Sequence, residues 1–398
     1  MSRLRDETLA AYLGDLDAWM SGAWRGSGVE TVGIALRSAS GSVFTRIHGD
    51  DTLDRHGQGA APLFRIGSLS KVLAVASLLA AAQRGLIDLH VPLTRHVPEL
   101  RFAETSPLAA TTLADLAAHR STMAQLELTA LRRPDGRHRS PIQRMSEAQL
   151  FTRMRRGKVN GAGRGRRVFD YSDFGIAIIA LAIARASRCD YATFATREVL
   201  RRGGVAGMYP TIDALGPDRA GRVLRGHAAP GLPAGPASPR PLGVLEPAFG
   251  ALATVDALTH FMHLLLGGRL LSPASTNRLF QARTPLGAAA RGDAYAMGVA
   301  RFAVGPVADG DACFGHLCVY DGFCGFSAHH PGTGVTMSIL MNATAATPSP
   351  ASGAPREPNP GGFVRGVFHQ LAQIAGEPTS RPLAAGLPKP PLWRRKSP

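Results

Sequence analysis

Lysine is nearly absent from this chain. Only Lys71, Lys158, Lys389 and Lys396 occur, and the other 41 of the 45 basic residues are arginine. Cysteine is scarce too. Cys189, Cys313, Cys318 and Cys324 are too few for a disulfide scaffold and show no metal-type CxxC spacing, so they read as free thiols in a reducing compartment. Long apolar runs are missing: the longest, around Val72 to Ala82, is too short to span a bilayer. The opening MSRLRDETLAAYLGDLDAW carries acidic residues where a secretory signal needs an apolar centre, and no lipidation box is present. A cytoplasmic protein that does not engage a membrane is the expectation.

What is there suits a globular fold. With 398 residues, 45% hydrophobic and 19% charged, the chain can bury a sizeable core as one large domain or two intertwined ones. The formal charge of +16 is an arginine charge, most simply a GC-rich coding habit, and is weak evidence for a nucleic-acid partner. The same habit makes Lys71 informative. A lysine inside an apolar stretch of an arginine-writing chain marks a place where arginine would fail, because a buried lysine can lose its proton and arginine cannot.

Along the chain, residues 5–25 have the spacing of an amphipathic helix, with Leu9, Tyr12, Leu13, Leu16 and Trp19 recurring near helical intervals. TVGIALRSASGSVFTRIHG predicts a β-hairpin about SASGS. FRIGSLSKVLAVASLL then predicts a helix, apolar on nearly every side and so buried, that runs to a stop at Gly85. Residues 106–239 are helical, arginine-rich and interrupted by Gly/Pro connections, and residues 250–280 return to a helical pattern. YAMGVARFAV, ACFGHLCVY, GFSAHH and GVTMSILMN read as strands, followed by a helix near Phe363 to Ile374. Strands near both ends of the chain imply an antiparallel sheet built from both ends and flanked by helices. The expected organisation is an α/β domain from 1–105 and 240–376, an inserted helical, arginine-rich subdomain at 106–239, and a disordered Pro-rich basic tail at 377–398. No internal repeat is found.

Ser68 and Lys71 are three residues apart, which on a helix places both side chains on one face within reach. A serine hydroxyl needs a neighbouring base to become a nucleophile, and a desolvated lysine can be one. Unpaired N–H groups at the helix start, beside Ser68, suit an oxyanion. Ser70 fits poorly, since adjacent helical residues do not face each other. The competing reading makes Ser68 a helix N-cap and lets Lys71 reach out to the surface.

Further stretches bear on that choice. FRIGSLSK…AAQRGLIDLHVPLTRHVPEL, TTLADLAAHRSTM, VFDYSDFGIAIIALAIARAS, FGALATVDALTHFMHLLLGGRLLS, YAMGVARF and FGHLCVYDGFCGFSAHHPGTGVTMSILMN occur in that order. Together they resemble the serine β-lactamase and penicillin-binding-protein superfamily, specifically its class C β-lactamase, family VIII esterase and transesterase branch. The likeness spans roughly residues 30 to 375. It implies the β-lactamase-like α+β fold, with an antiparallel sheet and an inserted helical subdomain. By position, it makes Ser68 the acylated nucleophile, Lys71 its proton partner and Tyr171 a second base that relays a proton to or from the leaving group. The oxyanion hole would use the backbone N–H groups of Ser68 and of Val319, just after His316-Leu317-Cys318. A tyrosine acts as base only where cations lower its pKa, and Lys71 is placed to supply that field. The competing reading of Tyr171 is a core tyrosine at a helix start.

Two positions depart from the family pattern. Asp173 stands where the Tyr-x-Asn motif has its asparagine, and it favours a charged Lys71. Cys318 replaces the glycine of His-x-Gly and narrows the approach to the strand. Asp173, His316 and Cys318 are thus expected substrate contacts, for a substrate unlike penicillin.

Other chemistry is weaker. His316, His329 and His330 suggest metal ligands, but His329 and His330 are strand neighbours that point to opposite faces, so joint chelation is not expected. GAGRGRR lacks the strand and the acidic partner of a dinucleotide site. No cofactor is expected. Between Arg132 and Arg167 stand twelve Lys/Arg against Asp135 and Glu147. This block would steer an anionic substrate such as a coenzyme A or carrier-protein thioester, or else is a solvated surface; almost no aromatics accompany it, which argues against nucleic acid. The expectation is acyl transfer from a small-molecule donor through acyl-Ser68. The outcome is hydrolysis of an ester, thioester or amide, with a biosynthetic acyltransferase or a silent ligand-binding member as alternatives.

Overall fold

The computed structural model describes residues 12–14, 31–41, 43–49, 61–102, 106, 108–121, 144–156, 169–228, 241–281, 284–286, 292–304, 311–320, 322–344, 365, 367–369 and 371. Among these, eight strands form one antiparallel sheet. They are β1 (Thr31–Arg37), β2 (Val43–Gly49), β3 (Thr284–Pro285), β4 (Ala294–Tyr295), β5 (Ala300–Ala303), β6 (Ala312–Tyr320), β7 (Phe323–His330) and β8 (Val335–Met341). Their spatial order is β2-β1-β8-β7-β6-β5-β4-β3. The N-terminal hairpin therefore docks on the last strand, with Ile34 opposite Ile339. This is the sheet built from both ends that the strand distribution predicted.

β7 and β8 are buried at every position, and β1 at all but its last. Such continuous burial requires cover on both faces. On one face, Ala35, Phe323 and Leu340 join the core formed with helices α1 (Ser70–Gln83), α2 (Asp173–Ser187) and α3 (Val255–Leu266). On the other, Ile34, Phe326 and Ile339 pack with Tyr12 and Leu13 and with Val367, Phe368 and Leu371. The layers run helix, sheet, helix. The two C-terminal histidines of β7 show the alternation directly: His329 meets Thr336 on the α3 side, whereas His330 stacks on Phe368.

Every side chain of α1 from Ser70 to Ala81 is buried, as its all-round apolar sequence predicted. The helix ends at Gln83, two residues before Gly85, whose φ of +70° reverses the chain. α2 starts where the Ser172 hydroxyl accepts the Gly175 N–H at 3.1 Å, and its buried Phe174 to Ile183 packs in the same core as α1. Of the basic block, residues 144–156 are described and include a helix at Glu147–Arg156. The rest of that block with GAGRGRR, the 377–398 tail and most of the helix predicted for residues 5–25 lie outside the described residues. Among the described residues no helix is long and apolar enough to cross a membrane.

Candidate active site

Ser68 lies in a short 3-10 turn, Gly67–Leu69, that leads into α1. The turn depends on Gly67. Its φ is +45°, and a Cβ there would sit 2.8 Å from Cys318 Sγ and 2.9 Å from Tyr320 Cβ. Gly67→Ala is therefore expected to cost at least about 1–2 kcal/mol for the left-handed backbone alone. The urea unfolding midpoint followed by circular dichroism should fall, and an unchanged midpoint would show that the turn tolerates a side chain.

The capping reading of Ser68 does not hold. α1 has Leu69 at its N-cap, with no side-chain cap bond. Nor does Lys71 reach for the surface, since its side chain is 0% exposed. Ser70 turns away and accepts the Ala251 N–H at 3.1 Å.

Lys71 Nζ makes three contacts: Ser68 Oγ at 3.2 Å, the Ala248 carbonyl at 2.7 Å and Asp173 Oδ1 at 2.8 Å. An ammonium would use all three protons there. A neutral amine fits equally well, because two N–H bonds serve Ala248 and Asp173 and leave the lone pair facing the Ser68 hydroxyl. Burial lowers the Lys71 pKa below its ordinary value, opposed by the charge and hydrogen bond of Asp173. The departure from asparagine thus creates a fully buried ion pair. Asp173 Oδ2 is buried and has no hydrogen-bond partner among the described residues.

Tyr171 completes the cluster by donating its hydroxyl proton to Ser68 Oγ at 2.9 Å. Lys71 Nζ stands 4.8 Å from the centre of its ring. The expectation that Lys71 lowers the phenol is reversed here. Burial, and then the negative charge of Asp173, push Tyr171 well above its ordinary value, so the hydroxyl keeps its proton. Tyr171 is equipped to give a proton rather than to begin as a base.

Behind Tyr171 stands His119, a residue the sequence reading left without a role although it heads the HRST stretch. Its Nδ1 accepts the Ser172 N–H at 3.2 Å, its carbonyl accepts the Asp170 N–H at 2.7 Å, and its ring centre lies 4.4 Å from that of Tyr171. With Nδ1 an acceptor, the ring is the neutral Nε2–H tautomer, in keeping with a pKa that burial holds well below the usual range. His119 fixes the loop that carries Tyr171.

β6 supplies the opposite wall. It pairs with β5 only from Ala312 to Gly315, and its later residues run past the Gly67–Leu69 turn. Leu317 (41% exposed) and Val319 (66% exposed) point outward from it. Two substrate contacts expected here need correction. His316 gives Nδ1 to the Leu317 carbonyl at 2.7 Å, and its Nε2 meets the Tyr295 hydroxyl at 3.1 Å. Both nitrogens are engaged within the protein, and burial lowers its pKa to about 4, so it is neutral. Cys318 is fully buried rather than facing a ligand, and burial pushes its thiol up to about 12. Tyr295 and the Ala248 carbonyl were not anticipated. A backbone carbonyl leaves no mark in a sequence, and Tyr295 gains meaning only from β4 lying near β6. Among the described residues, no group of three or more His, Cys, Asp or Glu is placed to hold a metal.

Residues 18–357 match the family model described as Beta-lactamase. The structure is similar to D-amino acid amidase from Ochrobactrum anthropi SV3 complexed with L-phenylalanine amide, with a TM-score of 0.68 and 19% identity over 85% of this chain and 91% of that one. It is also similar to a class C beta lactamase from Rhodobacter sphaeroides (TM-score 0.65, 17% identity, 85% and 95% of the two chains). An octameric penicillin-binding protein homologue from Pyrococcus abyssi gives a TM-score of 0.70 at 16% identity, over 92% of this chain and 78% of that one. Among curated proteins no match was found. With the family model covering most of its length, the chain belongs to the Beta-lactamase family, and so to the serine enzymes of the β-lactamase and penicillin-binding-protein-like superfamily.

Proposed function

We propose that this enzyme hydrolyses a small ester, thioester or amide through an acyl intermediate on Ser68. One observation carries the reading: Ser68 Oγ is bonded at once by Lys71 Nζ at 3.2 Å and by the Tyr171 hydroxyl at 2.9 Å. Base and proton donor are thus each within hydrogen-bond reach of the nucleophile. Lys71 in its neutral form takes the Ser68 proton as Oγ bonds to the acyl carbonyl carbon. The Ser68 and Val319 N–H groups hold the oxyanion. As the bond to the leaving group breaks, Tyr171 protonates the leaving nitrogen, oxygen or sulfur and recovers a proton from Lys71. Water then repeats the sequence on the acyl-enzyme.

The charge balance favours a donor without a carboxylate at this wall. Asp173 matches the charge of Lys71, and His316 is neutral, so neither offers a free positive charge. A neutral amide or ester suits such a site better than an anionic substrate. Solved structures of similar fold include a D-stereospecific amidohydrolase from Streptomyces and SurE with D-Leu, which makes amino-acid amides and esters sensible first compounds to assay.

Intact-protein mass spectrometry after exposure to p-nitrophenyl esters, thioesters and amino-acid amides tests the reading. The wild type should gain one acyl mass, localised to Ser68, and Ser68→Ala should gain none. Absence of any Ser68 adduct, with Ser68→Ala unchanged in every assay, would leave a ligand-binding protein instead. Adding alcohols or amines to the acyl-enzyme separates hydrolysis from acyl transfer, including transfer that begins from a coenzyme A or carrier-protein thioester.

A further inference from the structure

A cavity of about 1080 Å³ opens along α2, and neither Ser68, Lys71, Tyr171 nor Asp173 lines it. Small-molecule pockets commonly enclose about 300–1,000 Å³, so there is room for a ligand of that size. The floor is Ala177, Ala180, Leu181 and Ala184, which recur at helical spacing on one face of α2. Three alanines let a ligand lie close against the helix. Met145, Val244 and Pro247 add apolar surface to the lining.

One wall carries charge. It is a helix, Tyr191–Ala195, that continues as a wider π-type turn, Thr196–Arg201. Arg197 and Arg201 of this turn line the cavity. Positive charge is in excess there. The guanidiniums of Arg84, Arg197 and Arg202 share one carboxylate, that of Glu198. Arg201 makes no hydrogen bond or ion pair among the described residues. Most carboxylates of the lining are already committed. Asp190 accepts the Thr193 N–H at 2.8 Å and its hydroxyl at 2.6 Å. Glu246 accepts the N–H groups of Ile212 and Leu242, each at 2.9 Å, and Glu147 meets Arg185 at 2.8 Å. Asp213 makes no such bond among the described residues, and Arg144, likewise uncommitted, balances it in the lining.

We infer that this cavity binds an amphipathic anion: an apolar chain lies on the alanine face of α2, and its carboxylate or phosphate head meets Arg197 and Arg201. A guanidinium matches two oxygens of either head with two parallel N–H bonds. A cationic head would face like charge, and an uncharged one would leave the guanidiniums unused. The site is separate from Ser68, so this inference and the acyl-Ser68 reading stand or fall independently.

Isothermal titration calorimetry of the full chain with decanoate and with decyl phosphate, below their micelle concentrations, tests the inference. At least one should saturate a single site, and the tighter of the two identifies the head group. Decyltrimethylammonium should bind roughly tenfold more weakly or worse, because like charges then meet. Ala184→Trp places an indole on the floor and should weaken the anion roughly tenfold or more, since the space is already filled. Arg201→Glu removes no contact within the described fold and should likewise weaken it roughly tenfold or more. Saturable binding of neither anion, equal binding of the cation, or undiminished binding in Ala184→Trp with wild-type circular dichroism would overturn the site.

Discussion

Lys71→Arg is expected to slow Ser68 acylation by roughly 10²–10⁴-fold, the range that a general base contributes. The variant keeps a positive charge beside Ser68 and Asp173 but removes the one property the site uses, the ability to lose a proton. Lys71 is suited to that loss because its amine is wholly buried and its pKa is drawn below 10.5, mainly by desolvation. The measurement is the single-turnover rate of acyl-Ser68 formation, set beside the thermal unfolding midpoint. A guanidinium is larger than the space occupied by Nζ, so Lys71→Ala with added propylamine supplies the control. A small amine entering the vacated channel should recover part of the rate with a pH dependence set by its own pKa. Near-normal acylation in Lys71→Arg, or no recovery by any amine in a folded Lys71→Ala, would remove Lys71 as the base.

Asp173→Asn should move the acid limb of the acylation profile to lower pH. Asp173 is the group that raises the Lys71 pKa against the lowering by burial. Without its charge, Lys71 loses its proton at lower pH, and more of the enzyme holds the neutral amine in acid solution. The rate at a fixed acidic pH therefore rises even though an ion pair has been lost. Stability follows its own sign. Where folded Lys71 has a pKa below its unfolded value, the unfolded chain binds more protons, and stability increases with pH across that window. In the wild type the window runs from the folded Lys71 pKa up to about 10.5, and in Asp173→Asn it reaches further down. Where Lys71 is still protonated, the variant should lose up to about 3–5 kcal/mol, because an unpaired buried charge remains. The loss should shrink as the pH rises. Urea midpoints measured across pH check the slope, and kcat/KM across pH checks the limb. A limb that stays in place or moves upward would mean that Asp173 does not set the charge of Lys71.

Much of this was legible in the chain because it depends on local pattern. The all-apolar run after Ser68 can form only a buried helix, and α1 is buried from Ser70 to Ala81. Strand patterns at both ends of the sequence require a shared sheet, and β1 pairs with β8. The rarity of lysine drew attention to Lys71, and motif order drew it to Tyr171; both side chains reach Ser68 Oγ. Protonation was less legible. A phenol near a lysine looks like a base until the burial of Tyr171 and the carboxylate of Asp173 are weighed, and these act in the opposite direction. His316 occupied the expected position, yet Tyr295 captured its Nε2.

The sequence by itself determined the layered sheet-and-helix plan and singled out Ser68 and Lys71 as a pair, because periodicity, residue scarcity and motif order are properties of a line of residues. Tertiary structure alone decided which groups are buried against which charges and which hydrogen bonds are already taken. Desolvation and charge pairing depend on neighbours far apart along the chain, such as Lys71 with Asp173 and the Ala248 carbonyl, or His316 with the Tyr295 hydroxyl.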